Sequence, residues 1–203
     1  MRPTVHILIL AAGASSRMRG VDKLVQPIGG TPILRRVTET ALATGSPVTI
    51  ALPPEAEARR EVLHGLTVGT IEVPDAQLGM SRSLVRGVAA VSTAADGTED
   101  GLMVLPADMP GFTPAALTRL VDRFQDSPQR IWRGSTEDGR AGHPIIFPRD
   151  LWPDLACVTG DEGGRSVLRA HQERVSALTL PGQMAILDLD TPEDWAAYLG
   201  HLP

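Results

Sequence analysis

Short unbroken apolar runs alternate along this chain with longer stretches in which apolar positions return every third or fourth residue. The first run, Val5-His6-Ile7-Leu8-Ile9-Leu10, predicts a buried strand over 6–10, and a helix follows over about 32–44. The alternation continues with a strand over 48–52, a helix over 55–64, a strand over 67–73, a helix over 81–91 and a strand over 102–105 that leads to Asp108. Thr113-Pro114 opens the next helix with a hydroxyl cap and a proline in the first turn, and Leu117, Leu120, Val121 and Phe124 share one face of it. Strands joined by helical crossovers imply a parallel sheet with right-handed connections, and so an α/β fold. After Gln129 the order loosens into short strands near 130–132 and 144–147, a helix near 163–171, strands near 175–178 and 185–189, and a last helix opened by Thr191-Pro192-Glu193-Asp194. Glu55-Ala56-Glu57-Ala58-Arg59-Arg60-Glu61 and Thr98-Glu99-Asp100 read as solvated surface.

At 203 residues the chain is long enough for one well-buried core and short for two domains. Its formal net charge of -5 offers no basic surface for nucleic acid, so an anionic ligand must be met locally. Cys157 is the only cysteine, which excludes internal disulfides and cysteine-rich metal sites. Between Ala156 and Val158 it reads as a small buried hydrophobe. The apolar run after Arg2 is too short for a secretory signal, and no stretch has the length of a membrane span. A cytoplasmic location is expected.

The chemistry follows the first strand, in Ala11-Ala12-Gly13-Ala14-Ser15-Ser16-Arg17-Met18-Arg19-Gly20-Val21-Asp22-Lys23. Small residues let the backbone N–H groups of Gly13, Ala14 and Ser15 approach an anion closely, while Arg17 and Lys23 bring positive charge to the same place. That combination suits a polyphosphate. Neither G-x-x-x-x-G-K-[ST] nor G-x-G-x-x-G is present, which argues against a P-loop NTPase and a dinucleotide oxidoreductase. Ligands of open parallel sheets bind beyond the carboxyl ends of the strands, and Asp108 sits there as well, stiffened by Pro106 and Pro110. A hard cation such as Mg²⁺ needs only one or two protein carboxylates, so Asp108 is the first candidate ligand, and Asp188 or Asp190, at another apolar run's end, the second.

Leu10-Ala11-Ala12-Gly13, Ser15, Arg17-Met18 and Gly20-x-Asp22-Lys23 resemble the signature of nucleotidyltransferases that take a nucleoside monophosphate from an NTP. Within that superfamily the chain is most similar to the molybdenum cofactor cytidylyltransferase group, with its guanylyltransferase relative behind it. Gly79-Met80-Ser81-x-Ser83-Leu84, Asp108-Met109-Pro110, Gly142-His143-Pro144, Gly160-Asp161-x-Gly163-x-Arg165 and Asp188-Leu189-Asp190-Thr191-Pro192-Glu193-Asp194 fall in the family's order. Two positions depart from it: Arg19 stands where a Gly is usual, and Gly164 where an Ala is usual.

The resemblance implies a single-domain three-layer sandwich with a mostly parallel, Rossmann-like sheet of the nucleotide-diphospho-sugar transferase type. Its NTP-binding half would cover about 1–110 and its acceptor-binding half about 111–203. Leu10, Ala11, Ala12, Gly13, Ala14, Ser15, Arg17 and Lys23 would bind the nucleotide, with Gly79, Ser81 and Ser83 near base and ribose. Arg17, Lys23 and Asp108 would be catalytic, Asp190 rather than Asp188 would join Asp108 on Mg²⁺, and His143, Asp161 and Arg165 would hold the acceptor. The implied reaction transfers CMP from CTP to molybdopterin or its molybdenum form and releases pyrophosphate; a molybdoenzyme or its chaperone would be a further partner. The alternatives are the guanylyl version, a sugar or polyol phosphate as acceptor, and a cofactor-binding chaperone without turnover.

Overall fold

A computed structural model describes residues 2–160 and 163–200. The chain enters through β1 (Val5–Leu10), makes a small hairpin of β2 (Pro27–Ile28) and β3 (Thr31–Pro32), and continues into α1 (Ile33–Leu42), β4 (Val48–Leu52), α2 (Glu57–Val62) and β5 (Gly69–Glu72). Then come α3 (Met80–Ala94), β6 (Gly101–Pro106), α4 (Pro114–Asp126), β7 (Ile131–Ser135), β8 (Ala141–Pro148), α5 (Trp152–Leu155), α6 (Arg165–Ala170), β9 (Val175–Thr179) and α7 (Pro192–Gly200). The main sheet has the order β5-β4-β1-β6-β8-β7-β9. β8 alone is antiparallel to its neighbours, so the sheet is mostly parallel as expected.

Buried parallel strands are apolar on both faces. Along β1, Ile7 and Ile9 enter the core shared with α1 and α4, while Leu8 enters the one shared with α3, α5 and α6. Those two cores lie between the sheet and a layer of helices on each face, which makes a three-layer sandwich. β1 lies between β4 and β6, where the chain switches direction across the sheet, and the crevice at such a point is where ligands bind.

Three sequence expectations change. The run 185–189 is not a strand: its backbone crosses the end of the sheet, with His143 N–H donating to the Ala185 carbonyl at 2.7 Å and Leu189 N–H to the Asp108 carbonyl at 3.0 Å. Ala185 and Leu189 are buried, so the apolar signal was real while its period was misread. A Cβ on Gly142 would come within 1.9 Å of the Ala185 oxygen, so that crossing requires a glycine. Cys157 is exposed rather than buried, because the turn after α5 carries it outward. Arg59 and Asp100 are buried rather than solvated, the first for a reason found at the site and the second because its carboxylate accepts the Thr4 and Gly97 N–H groups, each at 3.0 Å.

Candidate active site

The loop after β1 is held from behind. Arg59, on α2, is only 5% exposed and donates to the carbonyls of Ala11 (2.6 Å) and Gly13 (2.9 Å) and to both oxygens of Asp22 (2.7 and 2.9 Å). Asp22 in turn caps the turn at Lys23, accepting from the Leu24 N–H at 3.1 Å, and accepts the Ser15 hydroxyl at 3.3 Å. Ser15 Oγ accepts the Lys23 N–H at 3.3 Å. Ser15 and Arg19 both take left-handed backbone conformations, with φ of 51° and 52°. Arg19 thus keeps the backbone shape a glycine would adopt freely, and its side chain lies in solvent, 3.3 Å from Glu193.

Lys23 is directed by this turn into the switch-point crevice, where its ammonium lies 2.6 Å from Asp108 Oδ2 and 2.5 Å from Asp190 Oδ1. Burial pulls the ammonium down, but the Asp108 and Asp190 carboxylates outweigh it and hold Lys23 above its usual value. Arg17, largely exposed, reaches the other oxygen of Asp190 at 2.7 Å. Burial acts to raise Asp190, yet Lys23 and Arg17 hold it below the usual carboxylate range. Asp188 is not on Lys23. It hydrogen-bonds to Asp190, and burial together with that negative neighbour pushes it up.

Beside the loop, at the carboxyl ends of β1, β4 and β5, opens a cavity of about 500 Å³ lined by Ala12, Gly13, Ala14, Pro53, Pro54, Glu55, Arg59, Val73, Pro74, Ala76 and Gln77. Gly79, Ser81 and Ser83 do not line it. Gly79 makes the turn into α3 with φ of 115°, while Ser81 and Ser83 face inward from the helix's first turn. Leu10 ends β1 below the loop.

On the other side of Asp108, His143 on β8 lies within electrostatic reach of Asp108, Arg133 and Arg165. Burial first, and then Arg133, push His143 down to about 4, so its ring is neutral near pH 7. Arg165 opens α6 and is exposed. Asp161 lies outside the described residues.

The sequence profile of the MobA-like NTP transferase domain matches residues 7–175. The chain belongs to that family. This NTP transferase is 29% identical to a nicotine blue oxidoreductase of Paenarthrobacter nicotinovorans over 94% of each chain. It is also 29% identical to a molybdenum cofactor guanylyltransferase of Cereibacter sphaeroides over 93% of this chain and 92% of that one. The crystal structure of Rv0371c from Mycobacterium tuberculosis superimposes with a TM-score of 0.85 at 28% identity, covering 98% of this chain and 99% of that one. The same protein complexed with manganese gives 0.80 at 26% identity, over 98% and 100%. The expected fold is therefore the observed one, and the chain is a nucleotidyltransferase.

Sequence reasoning missed Arg59, Glu55, Gln77 and Arg133. The rule that pointed to the loop after β1 applies equally to the ends of β4 and β5, which would have found Glu55 and Gln77. Arg59 lies at helical spacing between the buried Ala56 and Leu63, on the face turned toward the protein.

Proposed function

We propose that this NTP transferase moves CMP from CTP to a phosphorylated acceptor of the molybdopterin kind and releases pyrophosphate. The observation that supports the reading most directly is Lys23, whose ammonium sits between Asp108 and Asp190 beside the phosphate-type loop and its cavity. A cation already occupies the gap between those carboxylates, so the donor set fits a divalent ion, although no cluster of three acidic or histidine ligands exists among the described residues. A hard ion that takes its remaining ligands from water and phosphate needs no more than these two. Asp108 and Asp190 would hold Mg²⁺ or Mn²⁺, which when bound supplies charge neutralisation to phosphate oxygens.

The chain's own residues do the rest. Backbone N–H groups of Gly13, Ala14 and Ser15 receive the triphosphate, Arg17 and Lys23 follow the charge that builds on the leaving pyrophosphate, and the loop's bracing by Arg59 keeps those groups placed before the ligand arrives. The acceptor phosphate, already anionic, attacks the α-phosphorus in line, so no covalent enzyme intermediate is required. Ala12 supports the cytidylyl form: its methyl borders the cavity where the guanylyl branch tends to have a second glycine. The guanylyltransferase relative favours GTP as the second reading.

The test is a thermal-shift panel of CTP, GTP, ATP, UTP and NADPH with and without Mg²⁺, followed by pyrophosphate release with molybdopterin as acceptor. A nucleotide at 100 times its dissociation constant should stabilise the fold by about 2.7 kcal/mol. CTP should give the largest metal-dependent shift. A larger shift with GTP would establish the guanylyl form, and a shift with NADPH alone would replace nucleotidyl transfer by the oxidoreductase chemistry named for the Paenarthrobacter relative.

A further inference from the structure

Several arginines of this chain pair with a carboxylate. Arg59 holds Asp22, Arg82 and Arg86 share Asp75, Arg174 holds Asp150 and Arg60 holds Glu72. Arg133 differs. It is half-buried on β7, and its Nε and Nη2 groups both point at one neutral acceptor, the Gly142 carbonyl, at 3.3 and 3.2 Å. A guanidinium has five N–H donors, and the remaining ones have no partner among the described residues.

The surroundings add positive charge rather than remove it. β7 and β8 pair with Arg133 opposite Ile145, so Arg133 projects to the same sheet face as Ile145 and, two residues earlier on β8, His143. On that face the Cβ position at Gly164 lies 2.8 Å from the Phe147 ring, four residues along β8 from His143, and Arg165 follows at the start of α6. Burial first, and then repulsion by Arg165, draw the Arg133 guanidinium below its usual value. His143 Nδ1 is buried without a partner among the described residues. A half-desolvated guanidinium beside a second one is unfavourable unless an anion joins them, and a planar fork matches the oxygens of a phosphate.

We propose that Arg133, together with Arg165 and beside His143, forms a binding site for a phosphate monoester, the phosphate of the acceptor, and that Arg133 is a specificity-determining residue for phosphorylated acceptors. The assignment of the ligand to the acceptor rests on the nucleotidyltransferase reading above. The position agrees with it, because His143 links this cluster electrostatically to Asp108, on the far side of which the loop and Lys23 would hold the NTP.

Inorganic phosphate is the probe. It is titrated calorimetrically into the full-length protein saturated with a non-hydrolysable CTP analogue and Mg²⁺, so that the loop after β1 is filled and only a second anion site is read. Arg133→Gln should weaken phosphate binding by about tenfold or more without lowering the melting temperature and with the analogue affinity unchanged, since a charge-assisted fork is lost. Arg133→Lys keeps charge and stem but not the fork, and should weaken it by roughly threefold. Phosphate affinity equal to wild type in a folded Arg133→Gln protein overturns the proposal; if that variant does not fold, wild-type affinity in Arg133→Lys overturns it. Absence of analogue binding would instead refute CTP as the donor, and the phosphate titration is then run on Arg17→Gln protein, where loss through Arg133→Gln still supports the site and its absence still rejects it.

Discussion

At the loop after β1 every cation has an acid: Arg59 holds Asp22, Lys23 lies between Asp108 and Asp190, and Arg17 reaches Asp190. At the β7–β8 end, Arg133 and Arg165 repel each other with His143 beside them, and among the described residues no acid pairs with Arg133. The first arrangement is satisfied without ligand, so on the proposed function its geometry is built before an NTP arrives, and binding would draw Lys23 or Arg17 partly away from its carboxylates. The second is left unsatisfied, so its electrostatic strain is relieved by an anionic ligand. If the two clusters hold the two proposed substrates, placing charge in these two ways gives rigidity to one site and selectivity to the other.

The sharpest way to break the contrast is Arg59→Ala, which leaves Asp22 and the Ala11 and Gly13 carbonyls without their donor. Removing one partner from a buried pair typically costs about 3–5 kcal/mol, and loss of the loop's bracing should weaken NTP binding as well. Denaturant unfolding measures the first, and a loss below about 1 kcal/mol would show that the bracing is incidental.

Lys23→Ala comes next. Turnover should fall on the order of 100-fold, as for other preorganised electrostatic contacts, and the two carboxylates left facing each other should make the protein less stable than wild type in the absence of divalent ions. Adding Mg²⁺ should stabilise this variant more than wild type. Equal metal-induced shifts in melting temperature would separate Asp108 and Asp190 from any shared ion. Asp188→Asn also becomes informative, because Asp188 contacts Asp190 and its removal should tighten that response rather than leave it silent.

His143 tests the other end by pH. Its folded value of about 4 lies below the model-compound value of 6.5, so the folded state binds the proton less well than the unfolded chain. The stabilisation is therefore complete above pH 6.5 and is lost as the pH falls toward 4. Near pH 4.5 His143 should account for about 2 kcal/mol of acid destabilisation, absent in His143→Gln. Parallel pH–stability curves for the two proteins would remove His143 from the desolvated cluster.

The smallest effect expected is at Arg19. Arg19→Gly relieves a left-handed residue that a glycine occupies without strain and removes only an exposed ion pair to Glu193, so the variant should be slightly more stable, by about 0.5 kcal/mol, with unchanged NTP affinity. Weaker NTP binding on titration would make Arg19 a ligand of the loop.

Much of this molecule was readable before folding, for reasons that are local. Alternation of Ile7, Leu8 and Ile9 toward two cores, the Thr113-Pro114 cap, whose hydroxyl accepts the Ala116 N–H at 3.2 Å, and the Thr191 to Asp194 start of α7 are each written within a few residues. The loop from Gly13 to Lys23 and Asp108 were visible because small residues, prolines and strand ends constrain where a charge can point. Asp188 and Asp190 were offered by a strand that does not exist, and the resemblance chose Asp190; a crossing segment delivers it to Lys23 all the same.

By itself, then, the order of residues determined most of the strands and helices, the class of fold and the chemical types brought to the switch point, since period and capping act over one or two turns of chain. Which charge meets which was decided only by the tertiary structure. Arg59 and Asp22 are 37 residues apart, Lys23 and Asp190 are 167 apart, and Arg133 meets the Gly142 carbonyl only where β7 pairs with β8. Pairing across such distances depends on sheet order and on crossings such as the one at Gly142, and no local pattern records those.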